Sequence, residues 1–231
     1  MVMQRPQTNP TPQILPLENG DRLSRHEFER RYAESLDIKK AELIEGVVYV
    51  ASPLRFQRHA EPHAKLMIWL GNYQIYTPGI KLGIEPTIRL DQDNEPQPDG
   101  VLLIDESLGG KSRITDDDYI EGAPELVAEI AASSAAYDLY DKKKAYKRNG
   151  IQEYLVWQSL ENKLDWFGLH DSEYILLQPD TEGIIKSQVM PGLWLSVTAL
   201  LAGDMVKVLE VLQTGLNSPE HTEFLQRLSG L

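Results

Sequence analysis

Apolar and polar positions recur along this chain with two different periods, and each change of period marks an element. Leu66, Trp69, Leu70 and Tyr73 stand at i, i+3, i+4 and i+7, which predicts an amphipathic helix over 60–76. The segments AELIEGVVYV (41–50), KLGIEPTIRL (81–90), PDGVLLI (98–104) and PELVAEIA (124–131) are short, β-branched and apolar, and predict strands. Further strands are expected at 152–158, 163–169, 173–178 and 184–189. Ser24 and Glu27 have capping-box spacing and open a short helix to about Glu34. A helix from about Ala135 should stop at Gly150, a residue that accepts the left-handed conformation of a helix end. Helices close the chain at 197–214 and from Ser218-Pro219, an N-cap followed by proline at the first helical position. Between the strands at 98–104 and 124–131, the polar stretch 105–122 reads as a loop. Hairpin-spaced strands with a few flanking helices indicate a mixed α/β (α+β) class with a central mixed sheet, not a purely parallel fold.

Prolines 6, 10, 12 and 16 among Gln, Thr and Asn make residues 1–20 a flexible tail. A single domain is expected over 21–202, followed by a C-terminal helical extension, 203–231. With 231 residues, 42% of them hydrophobic and 25% charged, the chain can bury an ordinary globular core. No apolar run approaches the roughly 18–20 residues of a membrane span, and the start lacks the apolar stretch of a signal peptide. There is no cysteine, which excludes disulfides, thiolate zinc sites and cysteine nucleophiles and agrees with a cytoplasmic home.

The net charge of −12 argues against a protein that coats nucleic acid through bulk electrostatics, while leaving room for a local basic groove. One basic cluster lies at Arg22, Arg25, Arg30 and Arg31, another at Lys142, Lys143, Lys144, Lys147 and Arg148. Lys143, Lys147 and Arg148 are candidate nucleic-acid contacts; a solvated helix face serves the same pattern equally well.

The candidate chemistry begins with two carboxylates. Asp99 stands at the mouth of an apolar strand, where a charge is costly unless a partner meets it. In 124–131, period-2 alternation puts Leu126, Ala128 and Ile130 on one face and Val127, Glu129 and Ala131 on the other, so Glu129 is set into an apolar strand. On the helix that follows, Ala135, Leu139, Lys142 and Tyr146 share one stripe at 100° per residue, Lys143 lies at its edge and Lys144 points away. Lys142 is therefore the lysine that can reach the carboxylates. Asp, Glu and Lys converging at a sheet edge suit metal-dependent phosphodiester hydrolysis, with the carboxylates holding Mg²⁺ or Mn²⁺ and the lysine neutralising charge on phosphate. A buried Glu129–Lys142 ion pair beside a strand-edge Asp99 would satisfy the same residues without any metal.

The runs PQPDGVLL, PELVAEIAASSAAYDLYDKKKAYKRNGIQEYLVW and PGLWLSVTALL resemble the Uma-type family, whose members are named as endonucleases, within the PD-(D/E)XK restriction-endonuclease-like superfamily. The resemblance spans about residues 40–202 and is carried by Asp138-Leu139, Lys142, Tyr146, Gly150-Ile151 and Glu153-Tyr154. It implies a restriction-endonuclease-like core with Asp99 as the motif Asp, Glu129 as the motif Glu and Lys142 as a lysine moved from strand to helix. ELIEG at 42–46 resembles a further family motif, which adds Glu42 as a metal ligand. Ala131 stands where the superfamily places its lysine, so catalysis requires Lys142 to substitute. The implied activity is metal-dependent cleavage of DNA, or of RNA; the alternative is a nucleic-acid-binding or regulatory protein that keeps the fold without catalysis. A homodimer is expected, with the C-terminal helices as a docking element for a second copy or another chain.

Three other patterns are weaker. His59 and His63 lie four apart with no third ligand nearby in sequence, which favours a surface or phosphate-contacting role. The acidic run 91–95 lacks the glycine and terminal Glu of a calcium loop and reads as a solvated turn. Trp157, Trp166 and Phe167 sit within strand patterns and are expected in the core.

Overall fold

The structure, a computed structural model, describes residues 14–132 and 137–230. Most of the expected tail, and Ala135 at the expected helix start, lie outside the described residues. The chain begins with α1 (Arg25–Glu34) and the hairpin β1 (Ala41–Ile44) and β2 (Val47–Val50). A π-helical turn, Phe56–Ala60, leads into α2 (Glu61–Ile75). Then follow β3 (Ile80–Ile84), β4 (Ile88–Arg89), β5 (Gly100–Ile104), β6 (Ser112–Ile114), β7 (Ile120–Gly122) and β8 (Leu126–Ala131). A second π-helical turn, Asp138–Lys142, runs into α3 (Lys143–Arg148), followed by β9 (Glu153–Gln158), β10 (Lys163–His170) and β11 (Glu173–Leu176). A small hairpin, β12 (Ile184–Lys186) and β13 (Trp194–Ser196), precedes α4 (Val197–Ala202), α5 (Met205–Leu216) and α6 (Pro219–Leu228).

Six strands form the central sheet in the order β11-β10-β9-β8-β5-β3. Only β8 and β9 pair in parallel; the other neighbours are antiparallel, so the sheet is mixed as expected. The parallel pair is the one bridged by α3, because a parallel connection must cross over while an antiparallel one can turn back.

Strand parity sorts the core into two layers. Leu126, Ala128 and Ile130 face Leu66, Trp69, Leu70 and Tyr73 of α2, each of those four fully buried. Val208, Leu212, Phe224 and Leu228 of α5 and α6 join the same layer. On the opposite face Val127 and Ala131 pack with Ile88, Tyr146, Tyr154 and Phe167. Glu129 shares the parity of Val127 and Ala131 and so enters this second layer. Trp157 and Trp166 are buried in the first layer, and no helix is long and apolar enough to cross a membrane.

Several boundaries differ from the periodic reading for local reasons. The apolar run 41–50 is two strands, because Glu45 and Gly46 take positive φ of 51° and 73° and turn the chain in a two-residue hairpin. The run 81–90 breaks at Glu85-Pro86, where proline has no N–H to give a ladder. The expected loop 105–122 contains β6 and β7, which join β4 in a separate three-stranded sheet. The helix expected at 197–214 divides at Gly203 (φ 78°), after which the Asp204 carboxylate accepts from Lys207 N at 3.0 Å and starts α5. Ser24 occupies the N-cap of α1 without a side-chain cap bond. Glu27 turns instead to Arg30 at 2.8 Å and Arg31 at 2.6 Å, since charged donors outcompete a backbone amide. The acidic run is only half solvated: Asn94 and Glu95 are buried, and the Glu95 backbone exchanges both hydrogen bonds with Leu43.

Candidate active site

The register that aligns Gly100 with Ala128, continued by one residue, sets Asp99 opposite Glu129 on the second-layer face of the sheet. Both are nearly sealed, Asp99 at 3% and Glu129 at 4% exposure. Burial of this kind is tolerated only where each carboxylate is met by donors.

For Asp99 the donors come from two directions. Its Oδ2 accepts from Ile130 N at 2.7 Å, which ties the β5 entrance to β8. Its Oδ1 faces His59 Nε2 at 3.1 Å, and its backbone carbonyl accepts from His63 Nε2 at 2.8 Å. The π-helical turn carries His59 and runs directly into the first turn of α2, which carries His63. The two rings meet edge to face with centroids 5.7 Å apart. Burial alone would raise the Asp99 carboxyl, but the hydrogen bond and charge of His59 outweigh it and hold the group below its ordinary value.

Glu129 is met from the helical side. Its Oε1 accepts from Lys142 Nζ at 2.8 Å and from Tyr146 OH at 2.9 Å. Lys142, itself 3% exposed, also lies 2.9 Å from Glu42 Oε1 and 3.6 Å from Asp138 Oδ1. Glu42 Oε1 accepts in addition from Gln97 N at 2.7 Å. One ammonium thus serves three carboxylates. Burial first, then repulsion from Asp138, Asp99 and Glu42, pushes the Glu129 carboxyl up against the pull of Lys142, to about 8. The Lys142 ammonium is held charged by Glu129, Glu42 and Asp138, against a burial penalty.

These groups open on a cleft of about 670 Å³, lined by Lys40, His59, Asp99, Glu129, Tyr137 and Lys142 among others. His59 Nδ1 and Tyr137 OH are buried there without a hydrogen-bond partner among the described residues. Lys40 contributes a further positive charge, held up by Glu42, Asp99 and Glu129 despite the cost of burial.

The expected residues divide into two subsites. Glu129, Glu42 and Lys142 form one; Asp99 lies beside them but is bonded to His59 and His63. No third ligand stands near His59 and His63 in sequence, which favours a surface or phosphate-contacting role; the fold brings Asp99, 36 residues beyond His63, to them as a third group. Among the described residues, His59, His63 and Asp99 form a group whose ligand atoms all lie within 4.8 Å of one another. Their i, i+4 spacing was the available signal, and the pairing of α2 with the β5 entrance was not visible in it. Lys143, Lys147 and Arg148 are placed elsewhere. Lys143 Nζ sits 3.5 Å from the centre of the Phe167 ring, Lys147 pairs with Glu173 at 2.9 Å, and Arg148 pairs with Glu45 and Asp91 at 2.8 and 2.9 Å. None of the three lines the cleft.

Carboxylates with an imidazole suit a hard or borderline divalent cation, and a nitrogen ligand favours Mn²⁺ over Mg²⁺. The orphaned His59 Nδ1 and the surplus of carboxylates over cations both fit such an ion. His63 fits less directly: its Nε2 hydrogen is committed to the Asp99 carbonyl, which leaves Nδ1 as its free donor atom.

A family model named Uma2 and described as "Putative restriction endonuclease" matches residues 25–198. Among solved structures, the fold is similar to the crystal structure of "a putative nuclease belonging to DUF820 from Anabaena variabilis ATCC 29413". That similarity has a TM-score of 0.54 at 15% identity and covers 70% of this chain and 89% of the other. No curated protein matches.

Proposed function

Because the chain belongs to the Uma2 restriction-endonuclease family, we propose that it is a metal-dependent nuclease with Asp99, Glu129 and Lys142 at its catalytic centre. The substrate is the phosphodiester backbone of DNA, with RNA as the alternative. What supports the reading is that Asp99 and Glu129 stand opposite each other on paired strands and line one cleft.

Asp99 and His59 would hold Mg²⁺ or Mn²⁺, with Glu129 and Glu42 of the adjoining subsite beside them as further candidate ligands. Bound there, such an ion supplies Lewis acidity to a phosphoryl oxygen and lowers the pKa of a coordinated water. The remaining work belongs to this chain's own side chains. Tyr146 and Lys142 fix the orientation of the Glu129 carboxylate from the helical side. Lys142 would be the cation that meets negative charge on a phosphate, the longest of its three carboxylate contacts being that to Asp138 at 3.6 Å. Ile130 N holds Asp99 in register.

The test is a supercoiled plasmid and a labelled RNA, each incubated with Mn²⁺, with Mg²⁺ and with chelator. Metal-dependent nicking that disappears in Asp99→Ala and in Glu129→Ala supports the proposal. Nicking that persists unchanged in both variants overturns it. A second reading, binding without catalysis, is favoured by the full engagement of Lys142 and by Ala131 at the usual lysine position. Retained nucleic-acid binding with no cleavage under any metal would establish it.

A further inference from the structure

The segment between β2 and the first π-helical turn overhangs the cleft. Pro53, Leu54, Arg55 and Arg58 line its mouth. Two hydrogen bonds fix this lip: His59 N donates to the Arg55 carbonyl at 2.9 Å, and the Ser159 side-chain Oγ donates to the Arg58 carbonyl at 2.5 Å. The turn that directs His59 inward to Asp99 therefore also holds Arg55 and Arg58 at the rim, with exposed Phe56 between them in the chain.

Two features of the lip are unusual for this chain. Acidic side chains outnumber basic ones by 35 to 23, and most arginines lie against a carboxylate. Arg55 and Arg58 are exposed, and among the described residues neither has an ion-pair partner. In a protein with a surplus of acids, two unpaired guanidinium groups at a cleft mouth are available to an anionic ligand. The same mouth exposes apolar side chains: Leu54 is 58% exposed and Leu160, in the β9–β10 turn tied to this lip by Ser159, 54%; Phe56, next in the chain to Arg55 and outside the cleft lining, is 73% exposed.

We propose that this lip selects nucleic acid with unpaired bases, which stack on Phe56 and Leu54 while Arg55 and Arg58 hold the flanking phosphates. A duplex presents charged backbone to its surroundings and keeps its base faces covered, so it has nothing to offer exposed Phe56 and Leu54. An unpaired base has an apolar π-face, and stacking of this kind tolerates any sequence. Enclosure points to the same substrate. Asp99 and Glu129 line the cleft almost without exposure, and a flexible single strand bends a phosphate toward enclosed groups at less cost than a stiff duplex.

The inference rests on the nuclease reading for its substrate class, but its test needs no cleavage. Labelled 12-nucleotide single strands of DNA and of RNA, and the matching DNA duplex, are titrated with the full chain in EDTA by fluorescence anisotropy. The expected result is binding of one or both single strands at least about 10-fold tighter than the duplex. Phe56→Ala should lower single-strand affinity about 10-fold and leave the duplex unaffected, and Phe56→Trp should retain binding. Arg55→Ala/Arg58→Ala should weaken binding and flatten its salt dependence. Equal affinity for single strand and duplex, or a Phe56→Ala variant that binds like wild type, overturns this inference whatever the cleavage assay shows. Selective single-strand binding without cleavage would sustain it and count against the catalytic reading alone.

Discussion

Lys142 Nζ lies 2.8 Å from Glu129 Oε1, with the two side chains only 4% and 5% exposed. An ion pair taken this far from water gains little over an apolar pair of the same shape, yet breaking it is costly because the survivor stays buried. Glu42 and Asp138 share the same ammonium, so one buried positive charge directly meets three carboxylates.

Lys142→Ala should therefore destabilise the chain by about 3–5 kcal/mol, measured by urea titration. Lys144→Ala should change stability by less than about 0.5 kcal/mol, because Lys144 is exposed and its pair with Glu45 lies at the surface. In the folded fraction Lys142→Ala should also lower kcat by about 10²-fold, and Lys144→Ala should not. Lys142→Arg should rescue poorly, since a planar guanidinium does not match three carboxylates arranged around a compact ammonium. Equal losses for the two alanine variants would show that the lysines act only as a patch of charge.

Saturating Mn²⁺ should raise the melting temperature, because an ion bound only by the folded chain adds about 2.7 kcal/mol at a hundredfold excess over its Kd. Asp99→Asn should abolish the shift and His59→Ala should reduce it. Without metal, Asp99→Asn should be less stable than wild type. The carboxylate is held below its ordinary pKa by His59 and Ile130 N, so its ionised form is the one the fold favours. Differential scanning fluorimetry with and without Mn²⁺ checks both statements, and an unchanged metal response in Asp99→Asn would remove Asp99 from the site.

Stability should fall as pH rises through the neutral range. Burial, and then a hydrogen bond and repulsion from Glu29, push the Glu95 carboxyl from 4.5 up to about 8. A carboxyl raised in the fold contributes its full stability below the unfolded value, near 4.5, and loses it as pH climbs through the folded value, near 8. Glu95→Gln keeps the shape and removes the proton, so its melting temperature should gain on wild type between pH 6 and 9. Parallel wild-type and variant curves across that range would refute the assignment to Glu95.

Tyr146→Phe removes the second donor to Glu129 while preserving the ring that packs edge to face on Tyr154. The expected cost is about 1–3 kcal/mol, the penalty for a buried acceptor that loses one hydrogen bond. A loss below about 0.5 kcal/mol would mean that Lys142 alone satisfies the carboxylate.

The periodicity of the chain was enough to place α2, β5, β8 and β9, and to set Glu129 among apolar neighbours on one strand face. It also singled out Lys142 from Lys143 and Lys144. These are local properties: side-chain direction repeats every 3.6 residues in a helix and every two in a strand, whatever lies beyond. Turn chemistry was harder to read. Glu45-Gly46 and Gly203-Asp204 sit inside apolar runs whose period continues on both sides, so the break is visible only in the backbone angles. The partners of the charged groups were beyond local pattern altogether. Which donor meets Asp99 depends on the π-helical turn and α2 packing across the entrance of β5, and that contact brings His59 and His63 to it from a distant part of the chain. The same packing leaves Lys142 to Glu129 and Glu42. A buried carboxylate takes whichever donor the packed layers deliver to within hydrogen-bond reach, and only the assembled layers determine that distance.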